Sequence, residues 1–298
     1  MAQLHFQAHV HDRYKTVRTL LEAWAEEEGD QALGKTVLIK PNCVSAEQTL
    51  ASTHPETVRA ALEVFPKLRP KKLVLAEGSS EDTLKAFGNF GYLPWAEKFG
   101  ADVLDLNNEE FEIREVYDDR GTPIPVRIAK TPLKSFRVSL AKPKTHDCVI
   151  VTLGIKNLVV GAIQNPDKPK IHQGYPAINL NLALLARELR PDLSVIDGVE
   201  GMEGDGPVEG DPVQHGFVLL GSDPVAVDAA AATLMGFDPE KIGYLVYCAR
   251  LGLGEPSREN WEVVGDPLEE AVRPYRPHRT FAEQLRWELS GTALAGKI

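Results

Sequence analysis

Residues 142–146 read Lys-Pro-Lys-Thr-His, which places two ammonium groups and an imidazole within five positions, just before an apolar stretch that starts at Val149. Neutral imidazole suits both proton transfer and metal ligation. His146 is therefore a candidate general base or ligand, with a hydrogen-bonded structural histidine as the other reading. Lys156-Asn157 and His172 add a third cation, a carboxamide and a second imidazole. From Lys130 to Lys170 there are eight Lys/Arg and two Asp. The opposite sign follows: Asp197 to Asp211 holds six carboxylates and five glycines with no basic residue. Asp197, Glu200 and Glu203 fall three apart, and hard cations such as Mg²⁺ take carboxylate oxygens. A solvated acidic turn is the alternative.

Smaller groups extend the pattern. Lys40 and Asn42 suit a carboxylate or phosphate, one as a point charge and the other as a directional donor; a lysine snorkelling from a strand end is the rival reading. Ser79-Ser80 either caps a following helix or offers N–H groups to an anion. Asp228, inside VAVDAAAATLM, needs a partner. Cys43, Cys148 and Cys248 form no CxxC pair, so spacing supports neither an iron–sulfur cluster nor a structural zinc site. Cys43, beside a Lys-Pro-Asn turn, is the thiol to check for reactivity. No GxxxxGK[ST] or GxGxxG stands after a strand, so the familiar nucleotide fingerprints are missing. His54, His146 and His172 lack HExxH spacing, and any shared metal would have to be assembled by the fold.

The elements that must position these groups follow from periodicity. Val37 to Ile39, Leu73 to Ala76, Val103 to Leu106, Val149 to Leu153, Leu193 to Ile196 and Phe217 to Leu220 read as strands. Pro55 to Phe65, Thr83 to Phe87, Leu93 to Phe99, Ile178 to Leu189, Val225 to Leu234 and Pro239 to Arg250 read as helices. Alternation of this kind predicts an α/β fold: a mostly parallel sheet with helices on both faces. Phe111 to Val116, Val126 to Ile128 and Val138 to Leu140 suggest a small antiparallel insertion at about residues 107–141. The expected organisation is one α/β domain over 1–256, then a peripheral tail over 257–298 with one helix, Phe281 to Leu289. Ligands in open α/β sheets bind beyond the carboxyl ends of the strands. Lys40–Asn42, Glu77–Ser80, Lys156–Asn157 and Asp197–Gly198 each follow an apolar run, and parallel strands would gather all four at one edge.

With 298 residues, 43% of them hydrophobic, the chain can bury a substantial core. A net charge of −10 argues against a general nucleic-acid binder. No apolar run approaches ~20 residues, so no membrane span is expected. The N-terminus has no signal-peptide core, which makes the cytoplasm the expected location.

VLIKPN (37–42), THPETV (53–58), AKPKTH (141–146), LGIKNLVVG (153–161), IDGVEGMEGDGP (196–207) and GSDPVAVDA (221–229) together resemble the domain-of-unknown-function family numbered 362. Many members of that family carry an appended ferredoxin-like cluster domain, whose cysteines this chain lacks. GIKNLVVGAI and GYPAINL are also similar to short stretches of the nickel-pincer lactate racemases. That second resemblance implies hydride chemistry on 2-hydroxy acids, with Lys156 matching the cofactor-bearing lysine.

The expectation is a charged cleft that binds a small anionic metabolite, assisted by a divalent metal (Mg, Mn or Ni). Lys40, Lys144 and Lys156 would hold the anion, with Asn42, Asn157 and Ser79 orienting it. His146, His172 and Lys156 would carry the chemistry, and Asp197, Glu200 and Glu203 would bind the metal. The rival is a non-catalytic ligand-binding or regulatory module. A homo-oligomer is left open.

Overall fold

The computed structural model describes residues 1–298. Strands are β1 (Ala2–Gln7), β2 (Thr36–Pro41), β3 (Lys72–Glu77), β4 (Asp102–Asp105), β5 (Phe111–Tyr117), β6 (Pro123–Ala129), β7 (Phe136–Ala141), β8 (Lys144–His146), β9 (Ile150–Thr152), β10 (Leu193–Glu203), β11 (Asp211–Gly221) and β12 (Trp261–Gly265). Helices are α1 (Arg13–Glu28), α2 (Pro55–Val64), α3 (Thr83–Asn89), α4 (Leu93–Phe99), α5 (Lys130–Lys134), α6 (Gly154–Ala162), α7 (Tyr175–Leu189), α8 (Pro224–Leu234), α9 (Gly243–Arg250) and α10 (Phe281–Gln284). None of them is long and apolar enough to cross a membrane.

The main sheet runs β12-β1-β11-β10-β7-β2-β3-β4. From β10 to β4 every pairing is parallel, whereas β11 is antiparallel to both β10 and β1. Parallel strands covered on both faces need unbroken apolar runs, and Val37-Leu38-Ile39 and Leu73-Val74-Leu75 supply them. Side chains alternate across a strand. Val37 and Ile39 therefore enter the core beneath α1, α2 and α4, and Leu38 faces the side of α6. In the same way Val218 and Leu220 enter that core, and Phe217 and Leu219 the larger one built on α6 to α9. The architecture is α/β with a mostly parallel mixed sheet, helices on both faces and a separate two-stranded antiparallel ribbon of β5 and β6.

Several segments lie elsewhere than the sequence suggests. Val138–Leu140 is not part of the ribbon: it forms β7, between β2 and β10 at the centre of the sheet, because the short α5 turns the chain back from the ribbon. The acidic segment is a loop only from Gly204 to Gly210. β10 continues past Asp197 to Glu203 and pairs with β11 as a long hairpin, with a bulge between Gly198 and Glu200. Part of the expected tail enters the main sheet as β12, parallel to β1, and its helix stops at Gln284. Pro239–Arg250 divides into a 3₁₀ turn and α9. The first 28 residues, left without elements by the periodicity, supply β1 and α1.

Candidate functional site

β2 and β3 end at Pro41 and Glu77 beside α6, and between them lies a cavity of about 160 Å³. Its walls include Lys40, Asn42, Glu77, Gly78, His146, Thr152, Lys156, Asn157, Gly161, Lys168 and His172. Three of the four strand-end segments singled out from the sequence therefore meet. Asp197–Gly198 does not join them.

The cations in and behind this wall differ in how they are held. Lys40 Nζ donates to Glu77 Oε2 at 2.8 Å, Asn157 Oδ1 at 2.7 Å and Pro41 O at 3.1 Å. Burial lowers its pKa, and Glu77 opposes that shift. Lys144 lies behind the wall, donating to Asn42 Oδ1 and to Ala51 O. With no carboxylate in contact, burial drives its pKa well below the usual value. Lys168 Nζ donates to Gly78 O and to Val160 O, and burial lowers its pKa to about 8. Lys156, on the first turn of α6, is only 6% exposed, and no protein group accepts a hydrogen bond from its ammonium. Burial lowers its pKa to about 8 as well.

The two imidazoles are complementary. Nδ1 of His146 lies 2.9 Å from the Cys148 N–H and 2.9 Å from Asp147 Oδ1. One nitrogen cannot both accept and donate, and burial with the nearby Lys156 charge lowers the His146 pKa to about 3. The ring is thus neutral, and the tautomer that serves the Cys148 N–H carries its proton on Nε2. His172 sits exposed at the mouth, with Nδ1 3.1 Å from Lys168 O. A carbonyl only accepts, so Nδ1 holds the proton and Nε2 is a free lone pair. Both imidazoles line the cavity, His146 with a protonated Nε2 and His172 with an Nε2 lone pair. Thr152 Oγ1, also in the wall, is buried without a partner.

Asn157 is the hub of the polar floor. Its Oδ1 accepts from Lys40 and from Asn42 Nδ2 (3.1 Å), and its Nδ2 donates to Ser139 Oγ at 2.9 Å. Ser79 stays outside the cavity: its hydroxyl donates to Val44 O and accepts from the Glu81 N–H, and the cap of α3 is Asp82. The three proposed metal ligands do not converge. Asp197 accepts from Arg13 Nε (3.1 Å) and Thr57 Oγ1 (2.6 Å), Glu200 from Lys142 (3.2 Å) and Gln214 (2.8 Å), and Glu203 from the Arg276 N–H (2.9 Å). These carboxylates tie the hairpin to its neighbours. Donor atoms of His146, Asp147 and Cys148 do gather within 4.8 Å, but Nδ1 is already committed to the Cys148 N–H, so the trio forms a closed turn. Burial pushes the Cys43 thiol up to about 12, which leaves it unreactive. Asp228 accepts from Gly154 N (2.8 Å), Ile155 N (3.1 Å) and Tyr244 Oη (3.2 Å). It thereby fills the N-terminus of α6, and burial raises its pKa to about 7.

Two kinds of residue escaped the sequence reading. Lys168 lies in NPDKPKIH, where nothing separates it from Lys170, which pairs with Asp167 at the surface. Gly78 and Gly161 allow close approach: a Cβ at Gly161 would overlap the end of Lys40 and lie 2.6 Å from Glu77 Oε1. An isolated glycine in an apolar helix is the signal that could have found the second.

The family described as "Domain of unknown function (DUF362)" matches residues 37–233, from β2 to the end of α8, a span that contains every residue lining the cavity. The chain belongs to this family. It is also similar to the thylakoid-associated protein sll1697 of Synechocystis sp. (strain ATCC 27184 / PCC 6803 / Kazusa), 28% identical over 264 residues that cover 86% of this chain and 80% of that protein.

Proposed function

We propose that this member of the DUF362 family binds a small anionic metabolite in the cavity beside α6 and acts on it by proton transfer. The observation that carries the reading is Lys156: a buried ammonium with no acceptor in the protein, turned into a cavity. Buried cations are retained only when paired or used. Glu77 is committed to Lys40 and Asp147 acts on Lys156 without pairing with it, so Lys156 and Lys168 leave the wall with excess positive charge. A volume of about 160 Å³ corresponds to roughly five waters at ~30 Å³ each, which suits a short carboxylate or a phosphate. The free nitrogen of His172 and the Nε2–H of His146 favour an enzyme over a sensor, because a purely electrostatic site needs neither.

Thermal unfolding with malonate, oxalate or inorganic phosphate tests the binding. A ligand at a hundredfold its Kd adds about 2.7 kcal/mol to stability. The expected outcome is a rise in Tm for the natural protein that is lost in Lys156→Met. An equal rise in both proteins removes Lys156 from the site. The pH dependence has a definite sign: the ammonium is charged below about 8, so affinity for the anion falls as pH rises through that value.

A further inference from the structure

Of the four buried lysines gathered here, three are tethered. Lys40 is held by a carboxylate and a carboxamide, Lys144 by a carboxamide and a carbonyl, and Lys168 by two carbonyls. Only Lys156 keeps its amine free, at the wall of a cavity that also holds one imidazole donor and one imidazole acceptor. A desolvated amine beside other cations is the arrangement that makes a lysine nucleophilic. The neighbouring cations can hold a carboxylate while that amine meets a carbonyl carbon, whereas a site that merely binds an anion would gain by tethering the amine. We propose that Lys156 forms a Schiff base with a small oxo acid, its Nζ bonding to the carbonyl carbon while Lys168 holds the carboxylate. This rests on the anion-binding reading above and names the substrate class for that site.

The step balances without an added oxidant or reductant. The neutral amine attacks the carbonyl carbon, forming the N–C bond and breaking the C–O π bond. The nitrogen gives up a proton to Nε2 of His172, which passes it to the oxygen while the Nε2–H of His146 holds that oxygen by a hydrogen bond, leaving a carbinolamine and both imidazoles neutral. Loss of the hydroxyl as water, with the second nitrogen proton, gives the imine, and hydrolysis reverses the sequence.

Incubating the intact protein with pyruvate or glyoxylate, reducing with sodium borohydride and mapping peptides by mass spectrometry tests this. One reduced adduct per chain, at Lys156, is expected, with formation growing faster as pH rises towards and past 8. Lys156→Arg keeps the charge but cannot form the imine. It should lose the adduct, and the mapping of the natural protein stands even where that variant folds poorly. Malonate stabilisation that depends on Lys156, with no adduct from either oxo acid, overturns the Schiff base and leaves the anion site standing. Neither adduct nor stabilisation overturns both. Adducts spread over surface lysines, equal in the variant, overturn the proposal.

Discussion

Lys156 is costly where it stands, and that cost is measurable. Its pKa of about 8, against 10.5 for the free side chain, means that folding takes a charged amine out of water at a cost that the nearby Asp147 carboxylate only partly offsets. The penalty is fully present below pH 8, where both folded and unfolded chains carry the proton. Between about 8 and 10.5 the unfolded chain binds more protons than the folded one, so stability rises with pH. Lys156→Met should therefore stabilise the protein at pH 7 by up to about 3 kcal/mol, as read from the urea midpoint, and the gain should vanish near pH 10.5. A destabilised variant would mean that the ammonium has a partner in solution and would weaken the case for a ligand site. Lys156 and Lys168 act in the same wall, so their effects should couple.

At the scale of elements, α6 sets the shape of the cavity. It brings Lys156 and Asn157 to the wall on its first turn and lays Gly161 against the Lys40–Glu77 pair one turn and a half later. Gly161→Ala should cost about 1–3 kcal/mol as overpacking and abolish anion stabilisation, because Lys40 is fixed by three hydrogen bonds and cannot yield. Gly88→Ala in α3 is the internal comparison: its nearest atom, Leu93 Cδ1, is 3.9 Å from the added carbon. That change should be neutral or stabilising, as alanine generally is in a helix, and urea unfolding of the two variants side by side distinguishes packing from propensity. The gathering of Lys40, Asn42, Glu77 and Lys156 was legible in the sequence, because polar residues directly after apolar runs mark strand ends and parallel strands share one edge. Asp197 misled because β10 does not end there. Its pairing with β11 carries the strand six residues further, and an extended strand scatters carboxylates that a tight loop would have gathered. Glycines at close approaches and the choice of Lys168 over Lys170 depend on which elements pack together, which local pattern does not encode.

At the scale of the whole molecule, the cavity depends on residues far from it in the chain. The hairpin of β8 and β9 carries His146 and is joined to the sheet through Lys144 and Met202. Its tip is strained: Ile150, a β-branched residue, has φ of 68°, a region such residues rarely occupy. What holds it is Gln284, more than a hundred and thirty residues away, whose Oε1 accepts from the Ile150 N–H and whose Nε2 donates to His146 O at 2.7 Å. Composition alone marked the segment after Gly254 as peripheral, since its many Pro, Arg and Glu residues give no periodic apolar face. Yet β12 closes the sheet edge beside β1, and Gln284 clamps the hairpin. Gln284→Ala leaves a buried N–H and a carbonyl without partners, a loss of about 1–3 kcal/mol. Because the freed hairpin carries the His146 donor, the variant should also bind malonate or phosphate several-fold more weakly in calorimetry, beyond what the drop in Tm alone explains. Ser257→Ala, in the same C-terminal segment but away from the hairpin, should leave that affinity unchanged. Equal affinities for all three proteins would show that the clamp serves stability only and that His146 does not contact the anion.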